Sequence, residues 1–119
     1  MAIDYDLIVT IVSKGSADDV VDAAKTAGAE GATIIGGRGT GVHEHSKLFG
    51  MMIEPQKDIV LTLIPANITE KVLSSISDAV GLEKPGKGIA FVLDVKRTAG
   101  ICHLCAEMLR LQDEGSSQD

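Results

Sequence analysis

Four glycines in six residues, Gly36, Gly37, Gly39 and Gly41, follow the short apolar run 32–35. Glycine permits positive φ and lets a ligand or a second backbone approach closely. Amides freed of side chains can also converge on an anion. A second turn, Pro85-Gly86-Lys87-Gly88, adds a lysine to the same chemistry. The longer dinucleotide-binding fingerprint is missing, and no helix opens after Gly41. A plain loop entrance has the same composition, so both readings stand on the glycines alone. His43 and His45 stand two apart; in extended backbone both face one side, which makes half of a tetrahedral metal set, or simply two solvated imidazoles. Cys102-His103-Leu104-Cys105 has the spacing of a thiol redox pair or half a zinc site. Cys105 equally continues an apolar helical face with Ile101 and Met108, a packing role. Met51 and Met52 suit either a core or a partner-docking loop. No paired carboxylates, Ser-His-Asp set or metalloprotease motif stands out, so the chain reads as a non-enzyme.

The elements that must carry these residues come as an internal repeat. Asp6-Leu7-Ile8-Val9-Thr10-Ile11-Val12 recurs fifty-two positions later as Asp58-Ile59-Val60-Leu61-Thr62-Leu63-Ile64. Both runs are rich in β-branched residues and read as strands. Helix signals follow each. Ser16 with Asp19 and Asn67 with Glu70 stand as capping pairs. Val20, Val21, Ala24 and Ala27 recur at helical spacing up to Gly28; Val72, Leu73, Ile76, Ala79 and Val80 do so up to Gly81. Further strands at 32–35 and 89–95 close the halves. The expected fold is α+β, a ferredoxin-like βαββαβ domain over residues 1–100, with an antiparallel sheet and both helices on one face. The long central loop spans 36–56, far beyond the usual ~4–6 residues. A short C-terminal helix is expected over 101–111, and a polar, disordered tail over 112–119. The first strands are apolar almost throughout, which implies burial on both faces. A chain of 119 residues cannot cover the second face itself, so a trimer with sheets packed inward is expected.

Composition narrows the function. Aromatic residues are 3% and the net charge is −6, which argues against a nucleic-acid partner. No apolar run approaches the ~18 residues of a membrane span, and the first residues lack a signal-peptide pattern, so a cytoplasmic protein without direct membrane insertion is expected. Two cysteines three apart fit a reducing compartment.

Over residues 5–101 the chain resembles the P-II family of nitrogen-regulation signalling proteins and its PII-like relatives. The resemblance rests on Ala17-Asp18-Asp19-Val20, on Gly31-Ala32-Thr33-Ile34 with Gly39-Thr40-Gly41, and on residues 57–65. It continues through Pro85-Gly86-Lys87-Gly88 before Phe91-Val92-Leu93-Asp94-Val95. It implies a homotrimer that binds adenine nucleotides between subunits and regulates a protein partner, such as a membrane transporter or a metabolic enzyme, through the central loop. By position, Thr33, Gly39, Gly41 and Leu63, with Thr40 beside them, match the adenosine contacts, and Gly86, Lys87 and Gly88 the phosphate turn of a neighbouring subunit. His43, His45, Lys47, Met51 and Met52 would form the partner loop. Two departures bear on the ligand. Ile89 stands where the family carries lysine, and Gly100 and Cys102 stand where two basic residues are expected, Arg97 being the nearest substitute. They favour ADP or AMP over ATP. The loop is shorter than the family's by roughly five residues. The only tyrosine is Tyr5, which excludes tyrosine-directed nucleotidylation of the loop. On this reading Gly88→Val should abolish ligand binding and leave the trimer intact. The alternatives are a divalent-metal-binding trimer similar to the copper-tolerance CutA family, using His43, His45, Cys102, His103 or Cys105, and a thiol redox protein using Cys102 and Cys105.

Overall fold

The computed structural model describes residues 3–41, 46–48, 51–53 and 55–101. Its elements are β1 (Tyr5–Ser13), α1 (Ala17–Thr26), β2 (Thr33–Arg38), β3 (Ser46–Leu48), β4 (Met51–Ile53) and β5 (Gln56–Pro65). A 3-10 turn (Ala66–Ile68), α2 (Thr69–Val80) and β6 (Gly88–Val95) complete them. The main sheet is antiparallel in the order β2-β5-β1-β6. This is the α+β ferredoxin-like arrangement that the βαβ repeat demands. Inside the central loop, β3 and β4 pair as a separate antiparallel ribbon. The expected C-terminal helix beyond Ile101, the tail, and His43, His45, Cys102, His103 and Cys105 lie outside the described residues.

Strand alternation sorts the sheet into two faces. Ile8 and Val12 of β1 and Val60 and Ile64 of β5 are fully buried against Val20 and Ala24 of α1 and Val72 and Ile76 of α2. Each such valine or isoleucine side chain contributes about 1.5–3 kcal/mol by leaving water. On the opposite face Leu63, Phe91 and Leu93 are exposed, and Leu7, Val9 and Leu61 are half-buried. Thr10 and Thr62 sit in the helix-side core with no hydrogen-bond partner for either hydroxyl.

The repeat is a real internal twofold. Val9 pairs with Leu61, its own counterpart fifty-two residues on, so the axis passes through that pair. Lys14 N–H donates to Gln56 C=O at 3.2 Å, and the related Ala66 N–H donates to Asp4 C=O at 2.8 Å. The repeated aspartates hold helix starts crosswise. Asp58 Oδ2 accepts from the Gly15 and Ala17 amides, at 2.8 and 3.3 Å, in front of α1. Asp6 Oδ2 accepts from Thr69 Oγ1 at 2.6 Å, at the first residue of α2.

This corrects the local capping expected from sequence. Ser16 occupies the N-cap of α1 but makes no side-chain cap bond. Asn67 lies inside the 3-10 turn, and Ile68 is the N-cap of α2. The C-terminal stops agree with expectation: Gly28 has φ +119°, and Gly81 caps α2 in the left-handed region at φ +67°. β2 runs three residues beyond the expected end at Ile35, to Arg38, so Gly36 and Gly37 are strand residues paired with Asp58 and Lys57. Neither they nor Gly39 adopt positive φ.

Candidate functional site

Near the end of β2 one glycine has a packing reason. A Cβ on Gly37 would stand 3.1 Å from Ile59 Cδ1, whereas one on Gly39 would meet nothing within 4 Å. Gly39 N–H donates to Pro55 C=O at 3.1 Å, which keeps the strand ends together past the regular pairing. On the other side, the turn before β6 is built by Gly86 at φ +80° and Gly88 at φ +132°. Gly88 has a packing reason of its own: a Cβ there would lie 2.5 Å from the Ile11 carbonyl oxygen and 3.0 Å from Val12 Cγ1. Backbone cannot retreat from such a clash, so Gly88→Val damages the β1–β6 seam rather than the ligand site alone.

Between these segments lies a cavity of about 630 Å³. Gly37, Arg38, Gly39, Thr40 and Gly41 line one side, and Leu82, Glu83, Lys84, Pro85, Gly86 and Gly88 the other. Ile11, Ile59, Ile89 and Lys57 complete it. Both glycine segments therefore meet within one chain, not only across a subunit boundary. Among the described residues the lining carries three cations, Arg38, Lys57 and Lys84, against one acid, Glu83. Sequence reasoning missed all three cations; the signal was adjacency, since Arg38 sits between Gly37 and Gly39 and Lys84 immediately precedes the Pro85 turn. Lys87, expected to meet phosphate, is not among the lining residues.

The expected adenosine contacts do not all come together. Thr33 and Leu63 line a second cavity, of about 370 Å³, with Gly28, Glu30, Gly31, Ala32, Leu61, Pro65 and Ile101. Leu63 is four residues along β5 from Ile59, roughly 13 Å at strand rise, so the two cavities sit at opposite ends of one sheet face. A ligand touching both sets needs a second chain or must choose one end. Of the expected partner loop, Lys47 falls in β3 and Met51 and Met52 in β4. Among the described residues no group of three or more His, Cys, Asp or Glu could hold a metal ion. Among the same residues no helix is long and apolar enough to cross a membrane.

Comparison with known proteins identifies the lineage. The chain superposes on the structure of a Bacillus subtilis GlnK–ATP complex with a TM-score of 0.66 and 14% identity, covering 85% of this chain and 90% of that one. It also matches a Bacillus cereus protein related to NIF3, with a TM-score of 0.61 and 22% identity over 82% of this chain. It spans only 27% of that longer protein. At these identities the likeness speaks for the fold. No curated protein matches the chain. The family model described as nitrogen regulatory protein P-II matches residues 5–102, most of the sequence. This chain is a member of the P-II family, regulatory signalling proteins built on the ferredoxin-like fold.

Proposed function

We propose that this chain is a trimeric sensor of an adenine nucleotide that regulates a protein partner through residues 36–56, without covalent chemistry of its own. The observation that carries the reading is the 630 Å³ cavity, in which both glycine segments and three cations surround an apolar floor. An anionic ligand with an apolar ring suits that lining. The ATP bound by the related GlnK is further support. The ligand favoured is ADP or AMP over ATP. A net lining charge of two positives balances one phosphate monoester, at about −1.5 to −2 near neutral pH, better than a triphosphate. Gly39, Thr40, Gly41, Gly86 and Gly88 would form the near wall, and Thr33 and Leu63 of a second copy would close the site from its other end. Lys87 would reach the phosphates from outside the cavity lining. The trimer is supported by the exposed Leu63, Phe91 and Leu93 on the open sheet face. Ligand contact at Gly39–Gly41 would order the loop, with His43, His45, Lys47, Met51 and Met52 meeting the partner, a membrane transporter or a metabolic enzyme in the cytoplasm.

The test is a thermal-shift and calorimetric panel of ATP, ADP, AMP and cyclic nucleotides, with light scattering on the same sample. A ligand bound only by the folded state at a hundred times its Kd adds about 2.7 kcal/mol. ADP or AMP should therefore raise Tm clearly, and the scattering mass should equal three chains. ATP preferred tenfold over both would refute the ranking. No response to any nucleotide would remove the site, and a monodisperse monomer at micromolar concentration would remove the assembly.

A further inference from the structure

The open sheet face carries a row of leucines near one end. Leu93 pairs with Leu7, and Leu7 with Leu63, so three strands set one leucine each side by side. Leu63 and Leu93 are exposed and Leu7 is half-buried. β2 adds no fourth member: it begins at Thr33, opposite Leu61, and the place opposite Leu63 falls to Gly31, before the strand. Ile101 stands at that place, lining the smaller cavity with Gly31 and Leu63. The chain leaves β6 at Val95, on one edge of the sheet, and by Ile101 it lies against β5 and the approach to β2. Gly100, at φ +86°, turns the chain immediately before it.

The sequence that follows carries an apolar stripe at helical spacing: Ile101, Leu104, Cys105, Met108 and Leu109, with His103, Glu107 and Arg110 opposite. A helix over 101–111 would rise about 15 Å. The row from Ile101 across Leu63 and Leu7 to Leu93 spans three strand spacings, about 14 Å. Turned away from the sheet, such a helix would leave its stripe and the leucine row both in water; turned back, it buries both.

We infer that residues 101–111 form an amphipathic helix that folds back over the leucine row of its own chain. Leu104 and Cys105 lie over Leu63, Met108 over Leu7, and Leu109 reaches Leu93. Phe91, Ile35 and Ile89, in the rows beyond, stay open, and contacts between copies fall there. The docking does not rest on the nucleotide reading, but it bears on it. Leu63 is an expected adenosine contact, so docked helix and bound nucleoside exclude one another, and the segment gates that end of the site.

The two cysteines report on this directly, because Cys105 lies within the stripe and Cys102 at its margin. In the full, unmodified chain a thiol-reactive probe read by mass spectrometry should label Cys105 at least about tenfold more slowly than Cys102. Leu109→Asp should bring the two rates within about twofold by undocking the stripe. Leu63→Cys in a Cys102→Ser background sets one new thiol opposite Cys105. Air oxidation with a copper–phenanthroline catalyst should join those two sulfurs, each thiol giving up a proton and an electron, with oxygen as the oxidant. The product should run as a single chain on a non-reducing gel. Equal labelling of the two native cysteines, or no disulfide in the paired variant, overturns the docking. A disulfide between chains overturns docking on the same chain and moves the helix to a neighbour. An adenine nucleotide that binds should speed the labelling of Cys105; binding that leaves the rate unchanged overturns the gate alone.

Discussion

The two cavities are related by the internal twofold, and they differ. Each lies where a helix hands over to the strand that ends its half: residues 28–33 in the first half, residues 82–89 in the second. Leu63 in the smaller cavity corresponds through the repeat to Ile11 in the larger. Around the axis pair, Val9 faces Phe91 of β6 while Leu61 faces Thr33 of β2. Those partners are fifty-eight residues apart, not fifty-two, so the second half carries six extra residues, two in α2 and four in the turn after it. Lys84, Pro85 and Gly86 of the longer turn line the larger cavity with Ile11, Ile59 and Ile89, and its volume is about 630 Å³ against about 370 Å³. Among the described residues the smaller cavity has Glu30 as its one charged lining residue, and the larger has three cations. Where the halves agree they hold the fold together, and where they differ one cavity is larger and is lined by cations.

Substitutions can break or sharpen this comparison. The largest loss of stability is expected from Gly88→Ala. Its Cβ would meet the Ile11 carbonyl at 2.5 Å, and φ is already +132°. Chemical denaturation should report a loss of at least about 3 kcal/mol, since neither strain nor clash can relax. Gly31, in the other half's cavity, has open space around it, and Gly31→Ala should be near neutral, within about 0.5 kcal/mol. Next come the crossed aspartates. Asp58→Ala removes the acceptor of two amides and should cost about 2 kcal/mol, whereas Asp6→Ala removes the partner of one hydroxyl and should cost about 1 kcal/mol. Equal losses in urea melts would show that the two caps are equivalent despite their geometry. Thr10→Val and Thr62→Val should each stabilise by about 1 kcal/mol, because each removes a buried hydroxyl that has no partner. The twofold predicts that their gains match. The smallest stability effect is expected from Gly39→Leu, whose side chain enters open space. Tm should hold while nucleotide affinity falls, since the side chain fills the cavity mouth.

Much of the fold could be read from the chain because the repeated Asp, three apolar residues, Thr and two apolar residues fix strand identity, and the helical spacing after each strand fixes the crossover. What failed was local. Ser16 and Asn67 have the right chemistry for caps, yet the acceptors that serve the helix starts come from Asp58 and Asp6, more than forty residues away. No window of sequence contains both partners. Gly36 and Gly37 read as a turn because glycine tolerates φ that other residues avoid; both are strand residues, and at Gly37 the strand uses instead the absence of a side chain. The glycine segments of the site were legible, but their meeting in one chain and the cations around them were not. A lysine in a turn looks solvated until the facing wall is known.

The position of β1 has a kinetic consequence. It is made first, yet it is an inner strand, and its neighbours are β5 and β6. Ser13 must wait for Lys57, and Tyr5 for Val95, before its ladder is complete. At roughly 5–20 residues per second of synthesis, the apolar strand waits about 3–10 s for β5 and about 4–16 s for both neighbours. Sheet formation of this kind, dominated by pairings distant in the chain, is slow and cooperative. A nascent chain halted within the central loop therefore exposes Leu7, Ile8, Val9 and Ile11 with nothing to pair them, and chaperones should bind it more tightly than the finished protein.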